Sequence, residues 1–188
     1  MGAIIIISGP SGSGKTTVSR FLEKRHPKLH SSISVTTRKP RKDEKQDQDY
    51  YFISEDEFDR YIEDGLLAEW EEVHGNRYGT LKKQVEAAIN SPDGGLLLDI
   101  DPKGGLSLKK IYPDSILIFL KTESSETLID RLKSRKTESK EAIEKRMRRV
   151  SEEYSLADKY DYIILNNNLE ETVDSISRII EPYIHNAV

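Results

Sequence analysis

The stretch from Ala3 to Thr16 constrains the fold more than any other part of the chain. A β-branched apolar run, Ala3-Ile4-Ile5-Ile6-Ile7-Ser8, leads directly into Gly9-Pro10-Ser11-Gly12-Ser13-Gly14-Lys15-Thr16, and a helical pattern follows over Lys15–Lys24. Strand, glycine loop and helix in that order make a phosphate-binding loop. Glycines let successive backbone N–H groups and the helix N-terminus point at one phosphate chain. Lys15 then neutralises the β- and γ-phosphates, and the Thr16 hydroxyl serves a magnesium ion. The expected ATP contacts are Gly9, Pro10, Ser11, Gly12, Ser13, Gly14, Lys15, Thr16 and Thr17. A flexible glycine-serine turn is the alternative, and a Gly-Lys-Thr ending at a strand-to-helix junction argues against it.

Further short apolar runs at Leu96–Ile100, Ile116–Leu120 and Tyr162–Leu165 read as buried parallel strands. Helical patterns at Lys103–Ile111 and Glu126–Arg135 alternate with them, and a last helix follows Asn168, with Glu171 as its cap partner. The class is therefore α/β with a parallel sheet. Two segments interrupt it. Ser32 to Gly79 turns polar and strand-like around one helix, whose start is marked by Ser54 and Glu57 as a capping box. From Arg131 to Arg149, nine basic residues stand against three acidic ones. The expectation is one domain: a core of 1–31, 80–125 and 150–188, an insert at about 32–79 and a lid at about 126–149.

Composition narrows the function class. The net charge of −4 argues against a broad nucleic-acid or membrane surface. Cysteine is absent, which removes thiol catalysis and cysteine-based zinc sites and fits a reducing compartment. Ala3 to Ile7 is too short to span a bilayer and no basic stretch precedes it, while Ile6 breaks the myristoylation pattern that Gly2 suggests. The expected address is the cytoplasm, with no obligate protein partner indicated.

Two further constellations carry chemistry. Leu96-Leu97-Leu98-Asp99-Ile100-Asp101 ends an apolar strand in two acids at alternate positions, which face one side. Pro102 biases Asp101 toward extended backbone, so both carboxylates are expected beside the glycine loop, Asp101 reaching the metal through water. In Ser34-Val35-Thr36-Thr37-Arg38-Lys39-Pro40-Arg41, two guanidiniums flank a helix-blocking proline, a layout suited to gripping one phosphate monoester, with Tyr50 and Tyr78 completing the cradle. The bland readings are a strand ending in solvated acids and a basic surface loop.

Taken together, GPSGSGKT, SVTTRKPR, DYYF, EW followed by GNRYGT, LLLDID, and RLKSR with a later KRM resemble the guanylate kinase family in one order, from about Ile4 to Ile180. The resemblance implies an α/β P-loop kinase with a parallel sheet core, a small mixed GMP-binding insert and a helical lid. It implies transfer of the γ-phosphate of ATP to GMP, and to dGMP, with a magnesium ion and with ATP and GMP as the small-molecule partners. By that resemblance Ser34, Glu69, Thr80 and Asp99 contact guanine, while Arg38, Arg41, Tyr50 and Tyr78 hold the GMP phosphate. Guanine offers adjacent donors at N1 and N2 that a carboxylate such as Glu69 accepts, and Ser34 and Thr80 can donate to O6. The basic segment becomes a closing lid whose Arg131, Arg135 and Arg146 join Lys15 and Arg38 as catalytic cations.

The chain departs from the family pattern where Asp43, Asp47 and Lys136 stand in place of glycines, Lys103 in place of a glutamine and Asn167 in place of an aspartate. None removes a proposed chemical group. One rival is a scaffold domain that keeps the fold and binds a protein or phosphopeptide in the acceptor site; Lys15, Thr16 and the lid arginines argue against it. Another is a kinase acting on a different phosphate ester, such as a sugar phosphate; Glu69, Thr80 and Asp99 argue for guanine.

Overall fold

The structure, a computed structural model, describes residues 2–91, 94–123, 128 and 150–185. Its centre is β1 (Ala3–Ser8), which pairs in parallel with β7 (Gly95–Asp99) on one side and β8 (Ile116–Lys121) on the other. β2 (Leu29–Ser31) and β9 (Tyr162–Leu165) close the edges, giving the order β2-β7-β1-β8-β9, parallel throughout. A strand with neighbours on both sides and helices on both faces must be apolar at every position, which explains the unbroken isoleucine run.

Successive side chains of β1 divide the core into two layers. Ile5 and Ile7 face α1 (Lys15–Arg25) and α5 (Leu169–His185), where Val18, Leu22, Val173, Ile176, Ile180 and Ile184 complete a buried cluster. Ile4 and Ile6 face the other layer, with Val85 of α3 (Lys82–Ile89), Leu108 of α4 (Pro102–Ile111), Phe119 and Tyr160. Among the described residues, no helix is long and apolar enough to cross a membrane.

The interruption after β2 forms a second, mixed sheet in the order β4-β3-β6-β5: β3 (Val35–Thr36), β4 (Tyr51–Phe52), β5 (Leu67–Val73) and β6 (Asn76–Leu81). β5 and β6 form a hairpin turned at His74 and Gly75, both at positive φ. Helix α2 (Glu55–Glu63) covers the sheet and buries Phe58 against Val35 and Leu81; Ser54 caps it by accepting from the Glu57 N–H at 3.2 Å. The two sheets meet where residues 32–34 leave β2. There the Gln84 amide accepts from the Ile33 N–H at 2.9 Å and donates to the Ile33 carbonyl at 2.8 Å, so one α3 side chain satisfies both backbone groups of the connection.

The expected strands and the helices opening at Lys15, after Asp101 and after Asn168 are found, and the Glu171 N–H donates to Asn168 Oδ1 at 3.2 Å; Tyr162–Leu165, expected to be buried, is instead an edge strand with Tyr162, Ile163 and Leu165 exposed, since only one side of it is paired. β2 and α3 stand where the sequence carries no distinct strand or helix signal. The helix expected at Glu126–Arg135 and the lid cations Arg131, Arg135 and Arg146 lie outside the described residues.

Ile180 is fully buried where α5 meets the sheet. Truncation to alanine leaves a cavity between rigid elements, and Ile180→Ala should lower unfolding free energy by about 2–5 kcal/mol. Urea denaturation checks this: the midpoint should fall with little change in slope.

Candidate functional site

β1 ends at the edge where the chain turns away on both sides, so the loop after it opens into a crevice between core and insert. Gly9 has φ 149°, and a Cβ there would stand 2.4 Å from the Leu120 carbonyl oxygen, so the loop clears β8 only with glycine. Gly14 caps α1 in left-handed backbone, φ 97°. Lys15 Nζ donates to the carbonyls of Gly9 at 2.9 Å and Pro10 at 3.4 Å, which folds the ammonium back over its own loop. Gly9, Ser11, Gly12, Gly14, Lys15, Thr16 and Thr17 line the crevice.

Pro10 and Ser13 lie beneath that surface. Ser13 is fully buried, its N–H donates to the Pro10 carbonyl at 3.0 Å, and its own carbonyl accepts from Asn166 Nδ2 at 2.6 Å. Asn166 Oδ1 in turn accepts from the Thr172 hydroxyl at 3.1 Å, so the end of β9 and the first turn of α5 hold the loop from below. A single Asn after a strand carries no sequence signal for this role.

The two acids after β7 have different surroundings. Ile7 pairs with Asp99, which sets that carboxylate beside the loop, and its Oδ2 accepts from the Thr16 hydroxyl at 2.6 Å. Asp101 is the N-cap of α4: its Oδ1 accepts from the N–H groups of Lys103 at 2.9 Å and Gly104 at 3.4 Å, with Pro102 at the first helical position. Both acids line the crevice, but part of Asp101 is committed to holding the helix.

Opposite the loop, β5 and β6 bring Glu69 and Thr80 together, the Thr80 hydroxyl donating to Glu69 Oε1 at 2.5 Å. Both are buried, and Glu69 lines the crevice together with Ser34, Tyr78 and Asp99. Burial pushes the Glu69 carboxyl up to about 7, with the nearby acids Asp101 and Glu71 acting in the same direction and the Thr80 bond opposing. The approach of α4 makes the carboxylate's position possible. A Cβ at Gly104 would stand 2.5 Å from Glu69 Oε2, so Gly104 is part of the site although it touches nothing in the crevice.

The basic loop supplies the remaining wall. Arg41, Tyr50 and Tyr78 line the crevice, and Arg38 sits behind them with its Nε donating to the Tyr78 hydroxyl at 3.1 Å. Its guanidinium is forked onto Glu44, Nη1 to Oε2 and Nη2 to Oε1, each at 2.9 Å, and lies over the rings of Tyr50 and Phe52. Burial alone would raise the Glu44 carboxyl, but the bonds from Arg38 and the Arg41 N–H outweigh it and hold it below its ordinary value. Burial also pushes the Tyr50 phenol up, helped by Asp99 and Tyr78, so this hydroxyl stays a donor at neutral pH. The spacing of Arg38 and Arg41 around Pro40 says nothing about where each fork points; the acid partway along the same loop decides that.

Among the described residues, the expected groups converge on one crevice from two sides, with Pro10, Ser13, Arg38 and Thr80 supporting it from behind its surface. Comparisons with known proteins identify the family. The sequence model of the family described as guanylate kinase matches residues 1–183. The guanylate kinase of Fusobacterium nucleatum is 41% identical over 181 residues, 96% of this chain and 97% of that protein. That of Helicobacter pylori is 42% identical over 183 residues, covering 97% and 88%. The crystal structure of guanylate kinase from Anaplasma phagocytophilum superposes with a TM-score of 0.80 at 32% identity, covering 98% of this chain and 87% of that one. A shikimate kinase from Bacteroides thetaiotaomicron, 13% identical with a TM-score of 0.55, shares the fold alone. Matched from end to end in sequence and in architecture, this chain belongs to the guanylate kinase family.

Proposed function

We propose that this chain catalyses transfer of the γ-phosphoryl group of ATP to GMP, giving ADP and GDP, with the roles of its residues divided between the two walls of the crevice. The observation that carries the reading is the meeting of a phosphate loop with a buried Glu69–Thr80 pair across one cleft. The loop takes the triphosphate on backbone N–H groups at the start of α1, where Lys15 exchanges its two carbonyl contacts for the β- and γ-phosphates.

Thr16 and Asp99 are the oxygen donors that suit a magnesium ion, since a hydroxyl and a carboxylate 2.6 Å apart at the mouth of the loop match its hard-ligand preference. Asp101 would act there through its second oxygen and water. The ion supplies neutralisation of charge on the transferred group. On the acceptor side Glu69 accepts from guanine N1 and N2 and Ser34 serves O6, while Thr80, whose hydroxyl proton goes to Glu69, orients that carboxylate, and Asp99 faces the base from the loop side of the crevice. Arg41, Tyr50 and Tyr78 hold the phosphate, backed by Arg38. An oxygen of that phosphate attacks the γ-phosphorus as the bond to the β–γ bridging oxygen breaks; the protein orients the two groups and balances charge.

The three-part division into core, insert and lid, with Arg131, Arg135 and Arg146 closing over the reacting phosphates, belongs to the same proposal, as does a cytoplasmic address. Steady-state assays with ATP, magnesium and each of GMP, AMP, CMP and UMP test it. GMP should be the preferred acceptor, and equal turnover of AMP would overturn the guanine assignment.

Lys15→Met should leave the fold intact and remove most transfer activity, because only a cation at that position on the loop follows the charge of the β- and γ-phosphates. Circular dichroism with turnover assays checks both halves, and near-normal turnover would contradict the assignment.

The Glu69 carboxyl, raised from 4.5 to about 7, gives a pH signature. Below pH 7 it takes up a proton and can no longer accept from both guanine donors, so kcat/KM for GMP should fall toward acid. The phosphate of GMP also titrates, at about 6. Glu69→Gln should therefore lose the break near pH 7 and retain the lower one, on a reduced baseline. Stability moves with the opposite sense: the folded chain keeps a proton that the unfolded chain has released between pH 4.5 and 7, so this group makes folding less favourable as pH rises through that window. Glu69→Gln should flatten that slope in urea titrations.

A further inference from the structure

We infer that Tyr160, which does not line the crevice, is a specificity-determining positioning residue: its hydroxyl seats the first turn of α4, and that turn holds the Glu69 carboxylate in line with two donors of the acceptor base. The inference rests on the GMP reading above and adds to it a residue that no ligand touches.

The cap at Asp101 fixes how α4 starts but not where the helix lies against the sheet, because its bonds go to the helix's own N–H groups. Tyr160 supplies a contact from outside the helix. It stands just before β9, its ring meets that of Phe119 edge-on with centroids 5.3 Å apart, and its hydroxyl donates to the Pro102 carbonyl at 3.0 Å. The same phenol faces the buried Ser8 hydroxyl at the end of β1, so one oxygen joins the central strand, the approach to the edge strand and α4. Burial pushes the phenol up, with the charges of Asp101 and Glu69 acting in the same direction, so it stays a donor at neutral pH.

Two adjacent glycines carry this hold across the helix. A Cβ at Gly105 would stand 2.4 Å from the Tyr160 hydroxyl and 3.0 Å from that of Ser8. One at Gly104 would stand 2.5 Å from Glu69 Oε2 and 3.4 Å from Asp101 Oδ2. The helix backbone therefore touches the phenol on one side and, about 100° further round, the carboxylate. An interior packed this closely passes a displacement on instead of absorbing it. With the Thr80 hydroxyl on Oε1 and α4 behind Oε2, both carboxylate oxygens are fixed. Guanine needs both, one for N1 and one for N2, whereas hypoxanthine has no N2 amine and needs one. The seating of α4 is therefore felt most in the choice between those two bases.

Steady-state kinetics of Tyr160→Phe with GMP and with IMP as acceptors test this, since the variant removes one oxygen and keeps the ring. KM for GMP should rise about three- to tenfold, the range for one lost hydrogen bond, while the constants for IMP, kcat and KM for ATP change by about twofold or less. The GMP:IMP ratio of kcat/KM then narrows, and a ratio taken within one preparation does not depend on how much of the variant is folded. Gly105→Ala, which displaces the same turn from the phenol, should narrow it likewise. In a Glu69→Gln background Tyr160→Phe should leave the ratio unchanged, because the carboxylate through which it acts is gone. A ratio unchanged in both single variants, equal losses for GMP and IMP, or a narrowing that persists with Glu69→Gln would overturn the inference. Wild-type protein that fails to prefer GMP over AMP would overturn the acceptor reading itself, a result visible before any variant is made.

Discussion

Burial of β1 on both faces is the constraint from which the site follows. Its side chains fill both layers of the core and its backbone is paired on both sides, so neither translation nor rotation of the strand is open to it. The turn that leaves it is consequently tied to fixed neighbours. Gly9 passes against the Leu120 carbonyl of β8, and Asn166 ties the Ser13 carbonyl to the far edge of the sheet. Backbone N–H groups aimed at a phosphate are useful only if they need not reorganise when it arrives, and a loop pinned to three strands supplies that.

The opposite wall is built on a different principle. Glu69 is a buried carboxyl held by the hydroxyl and backbone of Thr80 and close packing against α4, with the acids Asp101 and Glu71 nearby, an arrangement that costs stability in the free protein. Such a group is worth its cost only if a ligand completes it. Guanine brings two donors to one carboxylate; adenine brings an acceptor, leaving the charge desolvated and unpaired. On the proposed guanine assignment, specificity would lie in the same burial that raises the carboxyl toward neutrality, and a more exposed acid would bind guanine with less discrimination.

How much of this could be read in the sequence depends on the range of the interaction involved. β1, the glycine loop and the start of α1 are determined locally, by a continuous apolar run and by glycines at fixed spacing, and they stand where expected. Edge strand β2 has three residues and no apolar pattern of its own, and helix α3 begins directly after β6 at Lys82 with no capping side chain, so neither announces itself. The position of Gly104 against Glu69, the grip of Asn166 on the loop and the turning of Arg38 onto Glu44 depend on residues distant in sequence or on rotamers, which spacing does not encode. The cap at Asp101 is legible in the sequence, since an acid before a proline at a helix start is an N-cap signal, and the structure adds this role to the place beside the loop expected of it. Asp47 shows the reverse case. It stands where the family pattern has glycine and keeps the left-handed backbone, φ 64°, which an aspartate tolerates better than most residues.

The two walls belong to different sheets, and this sets how they can be brought into register for transfer. The floor of the crevice is the end of the core sheet and the wall is the face of the insert, joined through residues 32–34 and through the step from β6 into α3. In-line transfer needs the acceptor oxygen and the γ-phosphorus within a few tenths of an ångström of contact, so a small change of angle between the sheets has a large effect on rate. Gln84 sits at that junction and satisfies both backbone groups of Ile33, while Arg20 of α1 reaches Asp49 of the acceptor loop at 3.0 Å. The first contact is partly buried and directional, the second exposed and screened, so the junction is fixed near its axis and compliant at its periphery. Two ties of unequal strength thus join the acceptor wall to the core that carries the phosphate loop.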